Sequence, residues 1–322
     1  MNFSDIKAVV AKDFDAVNSL IMEQLSSNVP LIGEVGSYII NSGGKRLRPL
    51  VSLLSANAFN LKGSDHITVG AITEFLHTAT LLHDDVVDQS LLRRGNATVN
   101  AVWGNAHSVL VGDFLISRSF QMMVSVGNLP LMEILADATN VISEGEVLQL
   151  INIHNPDTTE ENYMQIIRYK TAKMFEVAAE SGPLLAEAGA EQMKAMGEYA
   201  RHMGAAFQLA DDILDYTGSA EEMGKNVGDD LAEGKATMPL IYTINNGNPE
   251  QRATIREAIK KGGLDNLDEI ISMVNSCGAI EYTHEYALNE ARLAIEALSI
   301  VPDSEYKTAL EGLAMLAVER SS

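Results

Sequence analysis

The sequence predicts an all-α protein that forms one domain over residues 1–322. Apolar residues recur at spacings of three and four through most of the chain, the period of a helix with one buried face. Alternating β-branched runs joined by hairpin signals are nearly absent. We find no low-complexity linker and no repeat of fixed period, so nothing in the sequence marks a second domain.

The predicted helices are placed by their apolar period and by their flanking residues. The segments "AITEFLHTATLLHDDVVD" and "MGEYARHMGAAFQLADDILDY" predict two long helices. In "GGKRLRP" we expect Pro49 near the start of a following helix, because proline is tolerated in the first helical turn. "GNLP" and "HNPD" predict loops, and "GKATMP" leads into the apolar "LIYTI".

Composition narrows the class of protein. With 46% hydrophobic residues in 322, the chain can bury a sizeable core. A formal net charge of -21 disfavours general nucleic-acid binding but leaves room for phosphate ligands recruited through divalent cations. The single cysteine, Cys277, excludes an intrachain disulfide and fits a reducing compartment.

The expected location is the cytoplasm. The opening "MNFSDIKAVV" carries an acidic residue and is not expected to be a signal peptide. No uninterrupted apolar run approaches the ~20 residues of a spanning helix. We therefore expect a soluble protein.

Two copies of one acidic pattern, D-D-x-x-D, stand in the two long predicted helices. At about 100° per residue, the first and last Asp of each copy lie one turn apart and about 40° from each other, so their carboxylates converge. Oxygen-only clusters suit Mg²⁺, which binds one or two carboxylates, waters and substrate phosphates. The alternative is a solvated helix face, which like-charge repulsion on two apolar helices makes less favourable. The members are Asp84, Asp85 and Asp88, and Asp211, Asp212 and Asp215.

One polar residue accompanies each motif. Gln208 lies on the same helical stripe as the second motif, and His77 stands nearly two turns before Asp84. A lone histidine on an apolar helix is more often an ordinary core residue. Its alignment with the carboxylate face favours a place in the site.

Basic residues gather near both motifs. "GGKRLRP" carries Lys45, Arg46 and Arg48 just before a predicted helix, where backbone N–H groups favour an anion. With 23 Lys and Arg against 44 acidic residues, such grouping indicates a polyanion site rather than scatter. Further members in "RYKTAKMF" and "GKNVGDDLAEGKATMP" are Lys170, Thr171, Lys225 and Lys235.

Arg93 and Arg94 follow the first motif directly in "LLRRGN", where we expect Gly95 to end the helix. Two functions are open for these arginines. They could complement the negative end of the helix, or they could bind a diphosphate through bidentate hydrogen bonds.

These residues together resemble the trans-isoprenyl diphosphate synthases, also called polyprenyl synthetases. "GGKRLRP", "LLHDDVVDQSLLRRG", "KTAKMF", "FQLADDILDYTG" and "GKNVGDDLAEGKATMP" match the family's motifs in order and spacing. The match is dense from about residue 43 to 239, and the paired motifs with the R-R-G tail are highly specific.

The resemblance implies the isoprenoid synthase fold: antiparallel helices around a deep central cavity, usually homodimeric, with about three Mg²⁺ ions bridging the motifs through an allylic diphosphate. The implied metal-binding residues are Asp84, Asp88 and Asp211, with Asp85, Asp212 and Asp215 close by. The allylic diphosphate would be held by Arg93, Lys170, Thr171, Gln208, Lys225 and Lys235. Isopentenyl diphosphate would be held by Lys45, Arg48, His77 and Arg94. Within these sets, the catalytic members implied are Asp84, Asp85, Asp88, Arg93, Lys170, Asp211 and Asp212.

The length of the product depends on the helix that carries the first motif. Ala79 and Thr80 are small, so the cavity is not expected to be blocked about 6 to 8 Å below the carboxylates. Leu76 and Met123 could close it lower down, although ordinary core packing is the alternative for each. A long-chain product follows. The sequence is most similar to the bacterial octaprenyl members of the family, whose products become quinone side chains, and release of so apolar a product would involve transient membrane contact.

One alternative is a prenyl diphosphate synthase with a shorter or longer product, such as a geranylgeranyl, heptaprenyl or nonaprenyl chain. Three other functions are also open. A terpene cyclase shares the fold and the first motif but would be expected to replace the second D-D-x-x-D. A non-catalytic prenyl synthase subunit would lack one or both motifs. A helical interaction protein with acidic faces would explain the charge but not the arginines and lysines beside both motifs.

Overall fold

The computed structural model of the protein describes residues 1–218 and 227–319. Its described part is built almost entirely from helices, which confirms the all-α prediction. The helices are α1 (Phe3–Val9), α2 (Ala11–Gln24), α3 (Pro30–Asn41), α4 (Leu47–Ala58), α5 (Asp65–Val87), α6 (Val99–Trp103), α7 (Asn105–Val126), α8 (Leu129–Asn152), α9 (Glu160–Ile167), α10 (Lys173–Leu185), α11 (Ala190–Thr217), α12 (Asp229–Ala232), α13 (Met238–Asn246), α14 (Pro249–Lys261), α15 (Leu267–Ser276), α16 (Ala279–Ala297) and α17 (Glu305–Val318).

Two helices begin near the prolines expected from the sequence, whereas the loop predicted from "GNLP" is shorter than expected because α8 begins at Leu129. Pro49 lies in the first turn of α4, and Pro239 lies in the first turn of α13. The loop predicted from "HNPD" separates α8 from α9. A five-residue π-helical segment, Arg168–Ala172, joins α9 to α10, and a 3₁₀ turn, Leu298–Ile300, follows α16.

The prediction that Gly95 ends the first acidic helix is wrong. Helix α5 ends at Val87, and the chain then forms a small antiparallel hairpin of β1 (Leu92–Arg93) and β2 (Asn96–Ala97). The two residues between the strands, Arg94 and Gly95, both have positive φ, at 53° and 76°. Two consecutive left-handed residues match the type I′ turn of tight hairpins, for which glycine is favoured. The turn folds the chain back on itself.

The chain folds into two compact units: unit 1 (1–139, 174–199 and 297–313) and unit 2 (140–173, 200–296 and 314–322, as far as described). The single domain expected over 1–322 stays a prediction. In unit 1, α5 packs against α2, α4 and α7, and its residues from Val69 to Leu76 are all buried. Unit 1 therefore places the first motif at the end of a helix that is otherwise core.

Unit 2 has two apolar clusters around its part of α11. One packs Tyr163, Met164 and Ile167 of α9 against alanines of α11 and α16, whose small side chains permit close approach. The other surrounds Tyr216 near the end of α11 with residues of α13, α14 and α15. The second motif thus lies on a helix held on several sides within unit 2.

Helix α7 corrects the expectation that no segment is apolar enough to span a membrane. An 18-residue window within its 22 residues has a mean hydropathy of 1.3, and 33% of that window is buried. Polar residues such as Asp113 and Arg118 interrupt the helix, so no continuous apolar run marks it in the sequence. One such helix is weak grounds for a membrane span. The exposed apolar residues of α7 call for another explanation.

Candidate active site

The first motif occupies the last turn of α5. Asp84 and Asp88 are half-buried, whereas Asp85 is completely buried. The backbone N–H of Asp88 donates to the carbonyl of Asp84 at 2.7 Å, which keeps the two residues one turn apart on one face. Asp85, about 100° further round the helix, points inward. Two carboxylates of the motif therefore lie on the outer face and one lies in the interior.

Arg93 binds the buried carboxylate. Its Nε and Nη2 donate to Oδ1 of Asp85 at 2.9 and 2.6 Å, across the turn between α5 and the hairpin. Burial raises the pKa of Asp85 above its ordinary value, and the bonds from Arg93 oppose that rise. Asn100 donates to the backbone carbonyls of Asp85 and Ser90, both at 3.1 Å. The prediction that Arg93 lies beside the first motif agrees with this geometry, and its partner in the structure is Asp85.

Two glycines accommodate Arg94. Its guanidinium donates to the carbonyl of Gly43, and a Cβ added at Gly44 would lie 2.5 Å from Nη1 of Arg94. Gly44 also has φ of 134°, a conformation that side chains disfavour. The G-G of "GGKRLRP" therefore leaves room for an arginine 50 positions along the chain, counted as 94 − 44.

Buried charges surround the start of α4. The guanidinium of Arg48 stacks on Phe175 with its Cζ 4.4 Å from the ring centroid, and burial lowers its pKa to about 10. Glu74 is buried on α5, and burial raises its pKa while Arg48 opposes the rise. Desolvation, with Arg48 and Arg94 adding to it, lowers the pKa of His77 well below its ordinary value. Four predicted or newly found polar residues are thus electrostatically coupled, and His77 is neutral at pH 7.

Lys45 lies at the edge of this group. Its Nζ is 5.6 Å from the ring centroid of Phe3 in α1, and its side chain is exposed. Arg46, which has a left-handed backbone with φ of 50°, donates to Asn18 and to the carbonyl of Ile40. Arg46 therefore ties the loop before α4 to neighbouring helices, while Lys45 extends toward solvent.

The second motif lies in the last two turns of α11. Asp211 is half-buried, whereas Asp212 and Asp215 are buried. The backbone N–H groups of Gly228 and Asp230 donate to the carbonyl and to Oδ2 of Asp215, at 3.0 and 3.3 Å. Asp215 thus fixes the segment that leads toward Lys235.

Asp212 accepts hydrogen bonds from neutral donors. The hydroxyl of Tyr163 donates to Oδ2, and Nε2 of Gln208 donates to Oδ1 at 3.0 Å. The hydroxyl of Thr171 donates to Oε1 of Gln208 at 3.0 Å. Burial raises the pKa of Asp212 well above its ordinary value, with Asp230 adding to the rise and the bonds from Tyr163 and Gln208 opposing it. The structure brings the predicted residues Thr171, Gln208 and Asp212 into one hydrogen-bonded chain.

Lys170 lies in the π-helical segment. Its Nζ forms an ion pair with Oε2 of Glu146 at 2.6 Å. Preceding Glu146, Gly145 lies so close that an added Cβ would be 2.8 Å from Cβ of Tyr169 and 2.9 Å from the backbone N of Lys170. π-Helical turns occur often at functional sites. Here the turn places Lys170 and Thr171 side by side with their respective partners on α8 and α11.

The remaining predicted residues have simple surroundings. Lys235 pairs with Glu233. Lys225 lies outside the described residues. Ala79, Leu76 and Met123 are buried within unit 1, and the hydroxyl of the half-buried Thr80 donates to the carbonyl of His77 at 2.8 Å.

Mg²⁺ fits the donor set of both motifs, since carboxylate oxygens are the ligands this ion prefers. Among residues 1–218 and 227–319, no three His, Cys, Asp or Glu side chains form a ready-made metal cluster. An ion that arrives with a diphosphate and keeps its waters does not require one. The half-buried carboxylates of the motifs are those of Asp84 and Asp88 in unit 1 and of Asp211 in unit 2.

Sequence reasoning missed four residues that contact the site: Glu74, Asn100, Glu146 and Tyr163. Only Glu74 carried a usable signal, because it lies one turn before His77 on the same helix. The other three reach their partners through tertiary contacts.

The chain is similar to known proteins in both sequence and structure. A sequence model of the family described as "Polyprenyl synthetase" matches residues 29–275. The octaprenyl diphosphate synthase of Escherichia coli (strain K12) is 51% identical over 321 residues, 99% of each chain. The all-trans-nonaprenyl-diphosphate synthase (geranyl-diphosphate specific) of Rhodobacter capsulatus is 48% identical over 98% of this chain and 97% of its own. A crystal structure of a polyprenyl synthase from Caulobacter crescentus CB15, complexed with calcium and isoprenyl diphosphate, superposes with a TM-score of 0.96 at 40% identity, covering 100% of this chain and 98% of that one.

Proposed function

The chain belongs to the polyprenyl synthetase family, and from that premise we propose that it is a Mg²⁺-dependent, long-chain all-trans-polyprenyl diphosphate synthase that makes octaprenyl diphosphate. The reaction is a prenyl transfer in which isopentenyl diphosphate extends an allylic diphosphate. The observation that supports it most is the pair of D-D-x-x-D motifs at the ends of α5 and α11, in which Asp84, Asp88 and Asp211 are half-buried.

The diphosphate of the allylic substrate is the leaving group. The bond between its oxygen and the allylic carbon breaks, which leaves an allylic cation. Asp84, Asp88 and Asp211 would hold Mg²⁺, which supplies positive charge that stabilises the departing diphosphate. Lys170, Thr171, Gln208 and Lys235 of unit 2 would bind the same diphosphate. By the family resemblance, Arg93 of unit 1 and Lys225 would bind it as well. Cationic donors oriented before the reaction stabilise the charge as it develops.

Isopentenyl diphosphate is the nucleophile. Lys45, Arg48 and Arg94 bind its diphosphate, and the neutral His77 donates or accepts a hydrogen bond there without adding charge. The double bond of isopentenyl diphosphate attacks the allylic cation, forming one carbon–carbon bond. A proton then leaves, and the departed diphosphate accepts it.

The product is long because α5 has no large side chain at positions 79 and 80, about one turn before the first motif, where the growing chain could first be blocked. Ala79 is small and buried, and Thr80 is only half-buried. Leu76 and Met123 are buried and are the residues we propose to set the limit. The relative from E. coli supports eight isoprene units. The relative from R. capsulatus makes a nonaprenyl product the second candidate.

We propose that the functional form is a homodimer. At about 100° per residue, Val109, Leu110, Phe120 and Val124 fall within roughly 100° of one another on α7. Leu110 and Val124 are 65% and 63% exposed. An exposed apolar stripe of this kind indicates a protein interface. A Phe120→Glu variant should sediment as a monomer where the wild type sediments as a dimer; an unchanged sedimentation coefficient would place the interface elsewhere.

The proposed location is the cytoplasm, consistent with Cys277 as a free thiol. The substrates are small diphosphates, and no nucleic acid is involved. Transient contact with a membrane is proposed only for release of the apolar product.

Incubation of the purified chain with Mg²⁺, farnesyl diphosphate and labelled isopentenyl diphosphate tests the function. We expect a metal-dependent product that, after dephosphorylation, co-migrates with octaprenol on reversed-phase chromatography, and that Asp84→Ala does not make. A nine-unit product would favour the second candidate. Absence of any elongation would refute the proposal.

A further inference from the structure

A buried tyrosine outside the two D-D-x-x-D motifs contacts the second motif. Tyr163 is 5% exposed, its ring packs in the apolar cluster of α9, α11 and α16, and its hydroxyl donates to Oδ2 of Asp212. A tyrosine buried for packing alone would expose its hydroxyl or bind a backbone carbonyl. This one binds a carboxylate next to a proposed metal-binding residue, Asp211.

Asp212 has a second bond, which extends the contact to the diphosphate-binding residues. Gln208 donates to its other oxygen at 3.0 Å and accepts from Thr171 at 3.0 Å. Gln208 and Asp212 are one turn apart on α11. Tyr163 and Thr171 flank the segment that runs from α9 into the π-helical turn. This stretch is therefore hydrogen-bonded to α11 twice, by Tyr163 to Asp212 and by Thr171 to Gln208. Gln208 in turn donates to Asp212, so both connections involve the same carboxylate.

We propose that Tyr163 is a positioning residue, which fixes Asp212 so that Gln208 and Thr171 present their polar groups to the allylic diphosphate and Asp211 faces outward. This role rests on the proposed prenyl transfer. It also means that Asp212, with both oxygens bonded inside the protein, orients the site rather than binding the metal ion.

The chemistry of the bond supports a fixed role. Burial, with Asp212 adding to it, raises the pKa of Tyr163 well above its ordinary value, so the phenol remains a donor at every physiological pH. An oxygen donor to a buried carboxylate is stronger than a bond between neutral groups. Its loss would leave Asp212 free to rotate and would release the orientation of Gln208.

The test compares two conservative variants of buried tyrosines. Tyr163→Phe keeps the ring and removes the hydroxyl. The matched control is Tyr199→Phe, whose hydroxyl is likewise buried and donates to the backbone carbonyl of Leu310 at 2.8 Å in unit 1. Both variants lose one buried hydrogen bond, so both should lower the melting temperature by a few degrees.

Only Tyr163→Phe should weaken the allylic site. We expect the Kd for farnesyl diphosphate with Mg²⁺, measured calorimetrically without isopentenyl diphosphate, to rise about tenfold, and the KM for farnesyl diphosphate to rise with it. The KM for isopentenyl diphosphate should change less than twofold. Tyr199→Phe should leave all three constants at the wild-type values.

A double-mutant cycle tests whether Tyr163 acts through Asp212. Asp212→Asn alone should raise the Kd for farnesyl diphosphate, and adding Tyr163→Phe should raise it little further. Additive effects would overturn the proposal. So would a Tyr163→Phe enzyme that loses thermal stability like Tyr199→Phe yet binds farnesyl diphosphate like the wild type. If the wild type itself fails to elongate, the prenyl-transfer function fails instead, which separates the two results.

Discussion

The two acidic motifs have the same sequence pattern but different surroundings. In unit 1 the inward carboxylate of Asp85 is bound by the guanidinium of Arg93 at 2.6 Å. In unit 2 the inward carboxylate of Asp212 is bound by a phenol and an amide, from Tyr163 and Gln208. The same helical geometry turns the second Asp of each motif inward, and the neighbouring residues decide what meets it. The inward carboxylate of the first motif has a counter-charge, whereas that of the second accepts hydrogen bonds from uncharged side chains.

The two units also differ in the basic side chains near their motifs. In unit 1, burial lowers the pKa of His77, and the charges of Arg48, Arg94 and Arg93 lower it further. Unit 2 uses Lys170 at the surface of the site, and its interior relies on hydroxyl, amide and backbone donors. A buried ion pair is costly to break, and a neutral hydrogen-bonded pair is less so. The two motifs should therefore respond differently to the same substitutions.

The outward carboxylates should show the largest effect and no difference between motifs. Asp84→Ala and Asp211→Ala should each lower kcat/KM by about 10³-fold, because each removes a group that holds Mg²⁺ on the diphosphate. Steady-state elongation assays measure this. Asp137→Ala, which changes an exposed aspartate of α8, is the control and should match the wild type. A loss confined to one motif would show that the other binds no metal.

Substitution of the inward carboxylates should lower the free energy of unfolding by different amounts in the two motifs. Asp85→Asn leaves Arg93 without its counter-charge and should lower the free energy of unfolding by about 3 kcal/mol. Asp212→Asn keeps the shape and loses one hydrogen bond from a neutral donor to a carboxylate, and should cost about 1.5 kcal/mol. Urea unfolding followed by far-UV circular dichroism measures both. Equal losses would mean that the partner of the buried carboxylate makes no difference.

The motifs could be predicted from the sequence, but which side chains contact their inward carboxylates could not. The apolar period places both motifs on helices α5 and α11, and Pro49 and Pro239 define helix starts, since these signals are local. The hairpin after α5 was missed because Gly95 supports either a helix end or a tight turn. Tyr163 meets Asp212 from 49 positions away, so no local spacing reveals it. Motif residues were therefore predictable, and their inner partners were not.

Substitution of one glycine in each unit should have a smaller effect, and the substrate whose KM rises should differ between the units. Gly44→Ala places a Cβ against Arg94, and Gly145→Ala places one against the backbone of Lys170. We expect the first to raise the KM for isopentenyl diphosphate and the second to raise the KM for farnesyl diphosphate, each about tenfold. Initial rates with one substrate varied at a time measure the two constants. Gly63 has positive φ like Gly44 but open space around it, so Gly63→Ala is the control for backbone strain in Gly44→Ala.

The smallest effect concerns pH and unit 1. The pKa of His77 is lowered in the folded protein, so below pH 6.5 the unfolded chain binds a proton that the folded one does not. The free energy of unfolding is therefore highest above pH 6.5, as far as His77 contributes to it. It falls on acidification by at most about 1.4 kcal/mol per pH unit. Comparing urea midpoints of the wild type and His77→Gln between pH 8 and pH 5 should show the wild type losing more. Parallel curves would contradict the neutral state of His77.

The most direct test of the account is calorimetric titration of the wild-type chain with farnesyl diphosphate, with and without Mg²⁺ and in the absence of isopentenyl diphosphate. Half-buried Asp84, Asp88 and Asp211 repel a bare diphosphate, so binding should require Mg²⁺ and should disappear in Asp84→Asn and Asp211→Asn. Asp137→Asn should bind like the wild type. Equally tight binding without Mg²⁺ would contradict the assignment of the outward carboxylates as the metal-binding groups of a prenyl diphosphate synthase.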